Sequence, residues 1–453
     1  MFARQQGGSF ILRIEDTDTE RNREEWVTGI MDALHWLGLD PDEGPYRQSE
    51  RMDLYKEAVD RLWINGYLYA CDCTKDDLAH RIQSKGGGKP GYDGYCRDRG
   101  LEPGPGRVLR FKVPLEGSTI VEDLIRGNVE FRHDAIEDFV VVKSTGAPLF
   151  ILANAVDDMD MGITHVIRGE DLLPSTPKGI LLWRALVDSI GTSSATEKRR
   201  APLPVFAHLP MLVNERRQKL SKRKDPVAIE DYRDKGFLAV AMRNYLALLG
   251  WSPKEGPEKA DMNELVRQFR LEDVNHSPAF FDVKKLAHLN GEYIRGMSTE
   301  EFVAEYGTFR RRRGGADKGS GFDEGVFRRV APLVQERVEI LSEVEGMVAF
   351  LFSEQPPMDA ASFEKAIQNN PNAKEILQAA KNGYAECPWH AIDIREVTVG
   401  IAEMVGLKLA KAQAPIRVAV TGSTVGLPLF ESLEVLGRER TIARIQAALE
   451  KLA

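Results

Sequence analysis

The stretch Gly7-Gly8-Ser9-Phe10-Ile11-Leu12-Arg13-Ile14-Glu15-Asp16-Thr17-Asp18 reads as a β-strand over residues 7–14, an apolar run that ends in a polar segment rich in carboxylates. Residues 23–38 follow with Trp26, Ile30, Leu34 and Leu37 at helical spacing, stopped by Gly38. A second amphipathic helix covers residues 49–65 and ends at Gly66. A strand near 147–153 and another at Thr164-His165-Val166-Ile167-Arg168 complete a split α/β unit. Between its halves, residues 67–146 hold short alternating stretches, Val108 to Val113 and Phe139 to Val142, which predict an inserted α+β subdomain. Ser84 to Gly91, with four glycines, is a loop by composition. After residue 226 strand signals largely stop. Helical patterns run to the end, with breaks expected between Arg310 and Gly321, at Pro356-Pro357 and at Pro415.

The chain has 453 residues, long enough for about three domains. Hydrophobic residues make up 43% and charged residues 29%, the balance of a soluble protein with ample core. No apolar run reaches the roughly 18–20 residues that span a bilayer. Met1-Phe2-Ala3-Arg4-Gln5-Gln6 has no basic region leading into an apolar one, so no signal peptide is read and a cytoplasmic protein without a membrane partner is expected. The net charge of −8 speaks against nonspecific coating of nucleic acid. It leaves recognition of RNA through local basic faces open. The run Arg310-Arg311-Arg312-Arg313 reads first as a solvated loop and second as an RNA contact.

Four cysteines in this length do not make a disulfide framework. Cys71, Cys73 and Cys96 fall within 26 residues and point to a metal site, because thiolates are soft ligands suited to zinc. No histidine stands close to Cys96, so a fourth ligand is not evident from the residues alone. Cys387, standing apart, reads as a small buried apolar residue. Asp16 and Asp18 hint at a calcium loop, but neither the glycine nor the distal glutamate of that pattern follows. Lys219-Leu220-Ser221-Lys222-Arg223 offers two ammonium groups and a hydroxyl in a loop-rich stretch. Such a loop suits an ATP reaction that expels pyrophosphate, where charge builds on phosphate oxygens. Alone, it reads first as a basic surface loop.

Taken together, the motifs resemble class I aminoacyl-tRNA synthetases, specifically bacterial-type glutamyl-tRNA synthetases. Lys219 to Arg223 is similar to their KMSKS loop, and Phe10 to Asp18 to their glutamate-site strand. Gly44 to Arg51, Leu152 to Asp158, Thr164 to Asp171, Asn244 to Trp251, Leu289 to Arg295, Val420 to Ser423 and Leu436 to Arg440 continue the resemblance in order along the whole chain. It implies a Rossmann-like α/β catalytic domain with an inserted α+β acceptor-binding subdomain, followed by all-α anticodon-binding domains. In this sequence those would be residues 1–66 and 147–225 for the two catalytic parts and 67–146 for the insertion. A helical stem-contact domain would span 226–285 and a helical anticodon-binding region 286–453.

The resemblance also implies chemistry: glutamate activated with ATP and Mg2+, then transferred to tRNA-Glu by a monomer. Arg168 matches the arginine that grips the γ-carboxylate, Glu15 the acceptor of the α-ammonium, and Asn154 a polar neighbour. Phe150 departs from the family's usual tyrosine, which removes one hydrogen bond and leaves packing. Lys222 and Lys219 would stabilise the reacting phosphate, with Ser221, His208, Leu209 and Asp171 lining ATP. Tyr92 with Cys96 matches a Tyr-x-x-x-Cys pattern that completes zinc sites in some members. The family's HIGH-like motif is expected ahead of Phe10, and the nine residues there do not resemble it. Met1 is therefore expected to be an internal methionine of a longer chain, and without that motif activity of these 453 residues alone is in doubt. Two competitors remain: a noncatalytic tRNA-binding paralogue, and a glutamyl-queuosine tRNA synthetase, which the long helical C-terminal region opposes.

Overall fold

The computed structural model describes residues 1–17, 22–84, 91–189, 202–220, 228–314, 321–356 and 358–452. It divides into two compact units, one of residues 1–225 and 246–281, the other of residues 226–245 and 282–453. Among the described residues no helix is long and apolar enough to cross a membrane.

The first unit is α/β. A short helix α1 (Phe2–Gln6) leads to strand β1 (Ile11–Ile14), helix α2 (Glu24–Trp36), strand β2 (Glu43–Arg47) and helix α3 (Met52–Ile64). Strands β1 and β2 pair in parallel. Both helices fall where the apolar spacing places them, but on α2 the burial differs from the pattern. Val27 is its buried residue, whereas Trp26 and Ile30 are 58% and 48% exposed.

The insertion begins with β3 (Leu68–Cys71) and α4 (Lys75–Ser84), followed by β4 (Val108–Phe111), β5 (Ser118–Asp123), β6 (Gly127–Arg132) and β7 (Val140–Val142). Strands β3, β4 and β7 form an antiparallel sheet over a core of Tyr55, Leu62, Phe111, Phe139 and Leu182. The expected loop at 84–91 falls mostly on residues 85–90, outside the described residues.

The expected strand near 147–153 is instead the start of helix α5 (Phe150–Asp160). Only Pro148 makes a strand-like bridge, to Val142. The apolar run misled because it is buried on more than one face: Ile151, Leu152, Ala153, Ala155, Val156 and Asp157 are all enclosed. Burial on every side hides the period that separates helix from strand. Helix α5 leads to β8 (His165–Gly169), α6 (Thr176–Ser189) and β9 (Val205–Leu209).

Strands β8 and β9 pair in parallel, with Arg168 opposite His208. The hairpin β5–β6 joins the far side of β9 through one parallel bridge, Asp123 to Phe206, which gives the mixed order β6-β5-β9-β8. Beyond it, β10 (Leu212–Val213) pairs with β11 (Ala279–Phe280). Ala207, Trp251, Leu265, Phe269 and Leu271 form a separate apolar cluster in this unit.

The second unit is helical in its described residues, around a core that includes Phe302, Phe327, Val344, Ile376, Tyr384, Ile416, Leu433 and Ile445. The arginine run closes helix Thr299–Arg312, where positive charge suits the carbonyl end of a helix. Arg310 also stacks on Phe322, 3.6 Å from the ring centre. The break expected at Pro415 is absent: helix Leu409–Thr421 continues through it. Proline forfeits one backbone hydrogen bond, and here Ala412, Ile416, Ala419 and Val420 are buried around it, so packing holds the helix together.

Candidate active site

Parallel strands β8 and β9 end together, and the predicted substrate residues gather at that end. Arg168 is the penultimate residue of β8, and Phe150, Asn154 and Asp158 stand at i, i+4 and i+8 on one face of α5. These four line one pocket with Val166, Ser175 and Thr176. Phe150 is 43% exposed at its rim. Glu15, exposed just after β1, is near enough to act on the charge of Arg168. Burial draws the Arg168 guanidinium below its ordinary value, against the pull of Asp158, Glu15 and Asp171. An open cleft of about 600 Å³ shares Phe150, Ile151 and Ser175 with the pocket and is also lined by Lys75, Arg110 and Lys178.

Asn154 is oriented by a residue that sequence reasoning did not single out. Gln48 is fully buried, and its Nε2 donates to Asn154 Oδ1 at 2.8 Å and to Asp157 Oδ2 at 3.0 Å. With Oδ1 engaged, the Asn154 amide has its NH₂ left for the pocket. Asp157 is itself fully buried and accepts from Arg51 Nε and Tyr55 Oη, both at 2.8 Å. Arg13 reaches Asp158 Oδ1 at 2.8 Å and lies 3.6 Å from Asp157 Oδ2. Burial nevertheless raises the Asp158 carboxyl above its ordinary value. Residues 44–51 thus grip α5 through buried and half-buried polar bonds, and a buried partner left unpaired costs about 1–3 kcal/mol. Asp16 serves the same junction, accepting from Ser49 N and Oγ at 2.8 Å.

The nucleotide-side residues are placed less evenly. Lys219 Nζ meets Asp171 Oδ2 at 2.8 Å, an exposed pair that holds the Asp171 carboxyl below its ordinary value. The chain leading to it is a hairpin in which Leu220 N donates to Leu212 O and Asn214 Oδ1 accepts from the N–H groups of Arg216 and Gln218. Ser221, Lys222 and Arg223 lie outside the described residues. His208 and Leu209 end β9, but the His208 side chain is fully enclosed. Its imidazole contacts Asp123, Thr176 and Arg168, so it turns inward rather than toward a nucleotide. The cause is register: β8 and β5 flank β9 and bring Arg168 and Asp123 to it from either side.

The cysteine cluster forms as the spacing predicts. The Sγ atoms of Cys71, Cys73 and Cys96 all lie within 4.8 Å of one another. Arg81 Nη2 and Arg99 Nη1 each approach a sulfur at 3.2 Å, Cys73 and Cys96 respectively. Against burial, which opposes it, hydrogen bonds with Tyr92 and Arg110 hold the Cys71 thiol below its ordinary value. Burial and Cys96 push Cys73 up to about 12. Three thiols at this separation fit the sulfur donors of a tetrahedral zinc site. The Tyr92 hydroxyl lies beside them, accepting from Cys96 N at 2.7 Å.

Known proteins match this chain over its whole length. The family described as "tRNA synthetases class I (E and Q), catalytic domain" covers residues 1–288, and "Anticodon binding domain" covers residues 300–449. The fold is therefore that of a class I aminoacyl-tRNA synthetase with a helical anticodon-binding part. The chain is 51% identical to a glutamate–tRNA ligase of Frankia casuarinae, covering 100% of this chain and 93% of that one. It is 52% identical to one of Thermobifida fusca, over 98% and 91% of the two chains. A solved glutamate tRNA ligase from Elizabethkingia meningosepticum, in complex with its amino acid, superposes with a TM-score of 0.82 at 29% identity, covering 100% of this chain and 94% of that one. This protein belongs to the glutamate–tRNA ligase family.

Proposed function

We propose that this enzyme activates L-glutamate with ATP and Mg2+ to glutamyl-adenylate and passes the acyl group to the terminal ribose of tRNA-Glu. The observation that carries the reading is the pocket at the end of β8, where one arginine faces an oriented asparagine amide. Arg168 holds the γ-carboxylate through two parallel N–H donors. Glu15 receives the α-ammonium, Asn154 donates its NH₂, and Phe150 supplies packing. Catalysis is then positioning plus electrostatics, with no covalent enzyme intermediate. Lys222 and Lys219 stabilise the charge developing on the phosphate, while Ser221, Leu209 and Asp171 complete the ATP side. The cleft beside Phe150 is open to the acceptor end of the tRNA. The family match over residues 300–449 favours this activity over a glutamyl-queuosine synthetase, which ends soon after its catalytic domain.

Within this reading residues 67–146 carry the acceptor-binding insertion and residues 286–453 the anticodon-binding region, joined by a stem-contact segment at 226–285. Cys71, Cys73 and Cys96 hold one structural zinc ion, with Tyr92 at the fourth position, and the enzyme works as a cytoplasmic monomer. Zinc there would tie the end of β3 to the loop carrying Cys96.

The decisive experiment is ATP–pyrophosphate exchange with glutamate and with glutamine, in the full-length enzyme with tRNA present. A site whose buried donors require a carboxylate rejects the amide by roughly 10⁴-fold. Arg168→Gln is expected to lose glutamate activation severely and glutamine activation much less. Equal loss of both would place the carboxylate elsewhere.

A further inference from the structure

Three neighbouring strands put Asp123, His208 and Arg168 in one line. Parallel pairing sets Arg168 opposite His208, and the bridge from β5 sets Asp123 opposite Phe206. Residues i and i+2 share a face of a strand, so Asp123 and His208 lie on the same face. Both side chains are fully buried. Asp123 Oδ1 accepts the N–H groups of Ile125 at 3.0 Å, Arg126 at 2.8 Å and His208 at 3.2 Å. Its Oδ2 meets His208 Nδ1 at 2.6 Å. An ionised carboxylate only accepts, so the proton sits on Nδ1 and Nε2 is left as a bare acceptor. That nitrogen accepts from Arg168 Nε at 3.3 Å and lies 3.0 Å from Thr176 Oγ1. Thr176 Oγ1 in turn accepts from Arg168 Nη2 at 2.8 Å.

We propose that Asp123 and His208 are positioning residues for Arg168, Asp123 fixing the imidazole tautomer and Nε2 pinning one edge of the guanidinium. The pinned edge carries Nε. The edge that remains for substrate carries Nη1, which has no hydrogen-bond partner among the described residues. A guanidinium free to swing can meet an amide oxygen with one N–H. Held by Nε and by the Nη2 bond to Thr176, it presents Nη1 in a fixed direction with Nη2, 3.5 Å from Leu172 O, beside it, a pair that a planar carboxylate can take up and an amide cannot. The specificity of the pocket is thus set one strand away from the substrate.

The arrangement needs a neutral imidazole. Burial holds His208 below its ordinary value, and Arg168 and Arg126 add to this, while Asp123 opposes it. Protonation would put a second N–H against the Arg168 guanidinium. These three are the charged groups facing the ring; Glu170, beyond them, pairs with Arg126.

The inference rests on the reading of Arg168 as the carboxylate-holding residue, and the test separates the two. Asp123→Asn, His208→Leu and His208→Gln are assayed by ATP–pyrophosphate exchange in the full-length enzyme with tRNA, each alone and combined with Arg168→Gln. Thermal unfolding checks that each variant folds. Asp123→Asn lets the amide donate to Nδ1, which forces the proton onto Nε2 and turns a donor toward Arg168. The preference for glutamate over glutamine is expected to fall roughly 10-fold or more, the scale on which residues supporting a binding group act. His208→Gln keeps an acceptor and should recover part of the preference that His208→Leu loses. In the Arg168→Gln background Asp123→Asn should change the preference no further, since coupled residues are not additive. Equal loss with both amino acids, or an undiminished effect in the Arg168→Gln background, would make the pair structural only. If Arg168→Gln abolishes the preference and the supporting variants leave it intact, the positioning role fails while the reading of Arg168 stands. If Arg168→Gln itself leaves the preference unchanged, that reading falls, and the positioning role with it. Should Asp123→Asn not fold, the comparison of His208→Gln with His208→Leu decides.

Discussion

Asn154 shows how a site residue can be legible while its supports are not. It enters through the match of Leu152 to Asp158 to a family motif, although the helix that carries it reads as a strand in the sequence. The Gln48 that turns its amide is 106 positions away and looks like any surface glutamine. His208 enters through the resemblance, in a stretch that reads as loop-rich, and its direction depends on Asp123, 85 positions earlier in the hairpin β5–β6. No local pattern encodes that register. The same pair has a consequence for acid stability. Burial holds His208 below its ordinary value. For Asp123, burial opposes ionisation, yet His208 and the backbone N–H groups prevail and lower its carboxyl too. In the unfolded chain both would take up protons at higher pH, near 6.5 for histidine and about 3.9 for aspartate. Stability contributed by these groups is therefore full above about pH 6.5, declines as pH falls through the depressed value of His208, and declines again below about 4. The unfolding temperature of the catalytic unit should drop as pH falls below about 6.5, and His208→Leu should flatten that slope. An unchanged slope in His208→Leu would show that the imidazole is not held neutral.

At the scale of elements, α2 and α3 were legible because one face of each repeats at helical spacing. Helix α5 and the helix through Pro415 were not, and both failures come from burial. Where nearly every face is enclosed, periodicity vanishes and packing overrides the local cost of proline. The cysteine cluster lies at the opposite extreme: Cys71-x-Cys73 at the end of β3 announces itself in three letters. What spacing could not supply was the cationic surround of Arg81 and Arg99. If the cluster binds zinc, elemental analysis of protein prepared in metal-free buffer should give one equivalent per chain. Cys71→Ser and Cys96→Ser should each release it and lower the unfolding temperature of the first unit. Protein free of zinc would leave three reduced cysteines packed around Tyr92. Zinc retained by Tyr92→Phe would give the fourth position to water or another side chain.

At the scale of the molecule, each of the two units has apolar cores of its own. The clusters around Phe111, Trp251 and Cys96 belong to the first unit, and the helical cluster around Phe327 and Ile445 belongs to the second. Separate cores predict separate cooperative transitions. Arg444 offers a way to mark the second. It is buried, it donates to the carbonyls of Val420 at 2.7 Å and Phe350 at 2.8 Å, and it also reaches that of Ser353. Burial draws its guanidinium down to about 10, so it remains charged at neutral pH. Arg444→Met removes this donor from all three carbonyls; Ser353 O keeps Arg440 Nη2, while a carbonyl left unpaired costs about 1–3 kcal/mol. For a unit near 200 residues, each kcal/mol shifts the midpoint by roughly 2–4 °C. Glutamate with ATP, binding only the folded first unit, should raise the other transition with the logarithm of ligand concentration. Scanning calorimetry should therefore show two endotherms, one lowered by Arg444→Met and blind to ligand, the other raised by ligand and blind to Arg444→Met. A single endotherm that moves with both would mean that the two units unfold as one.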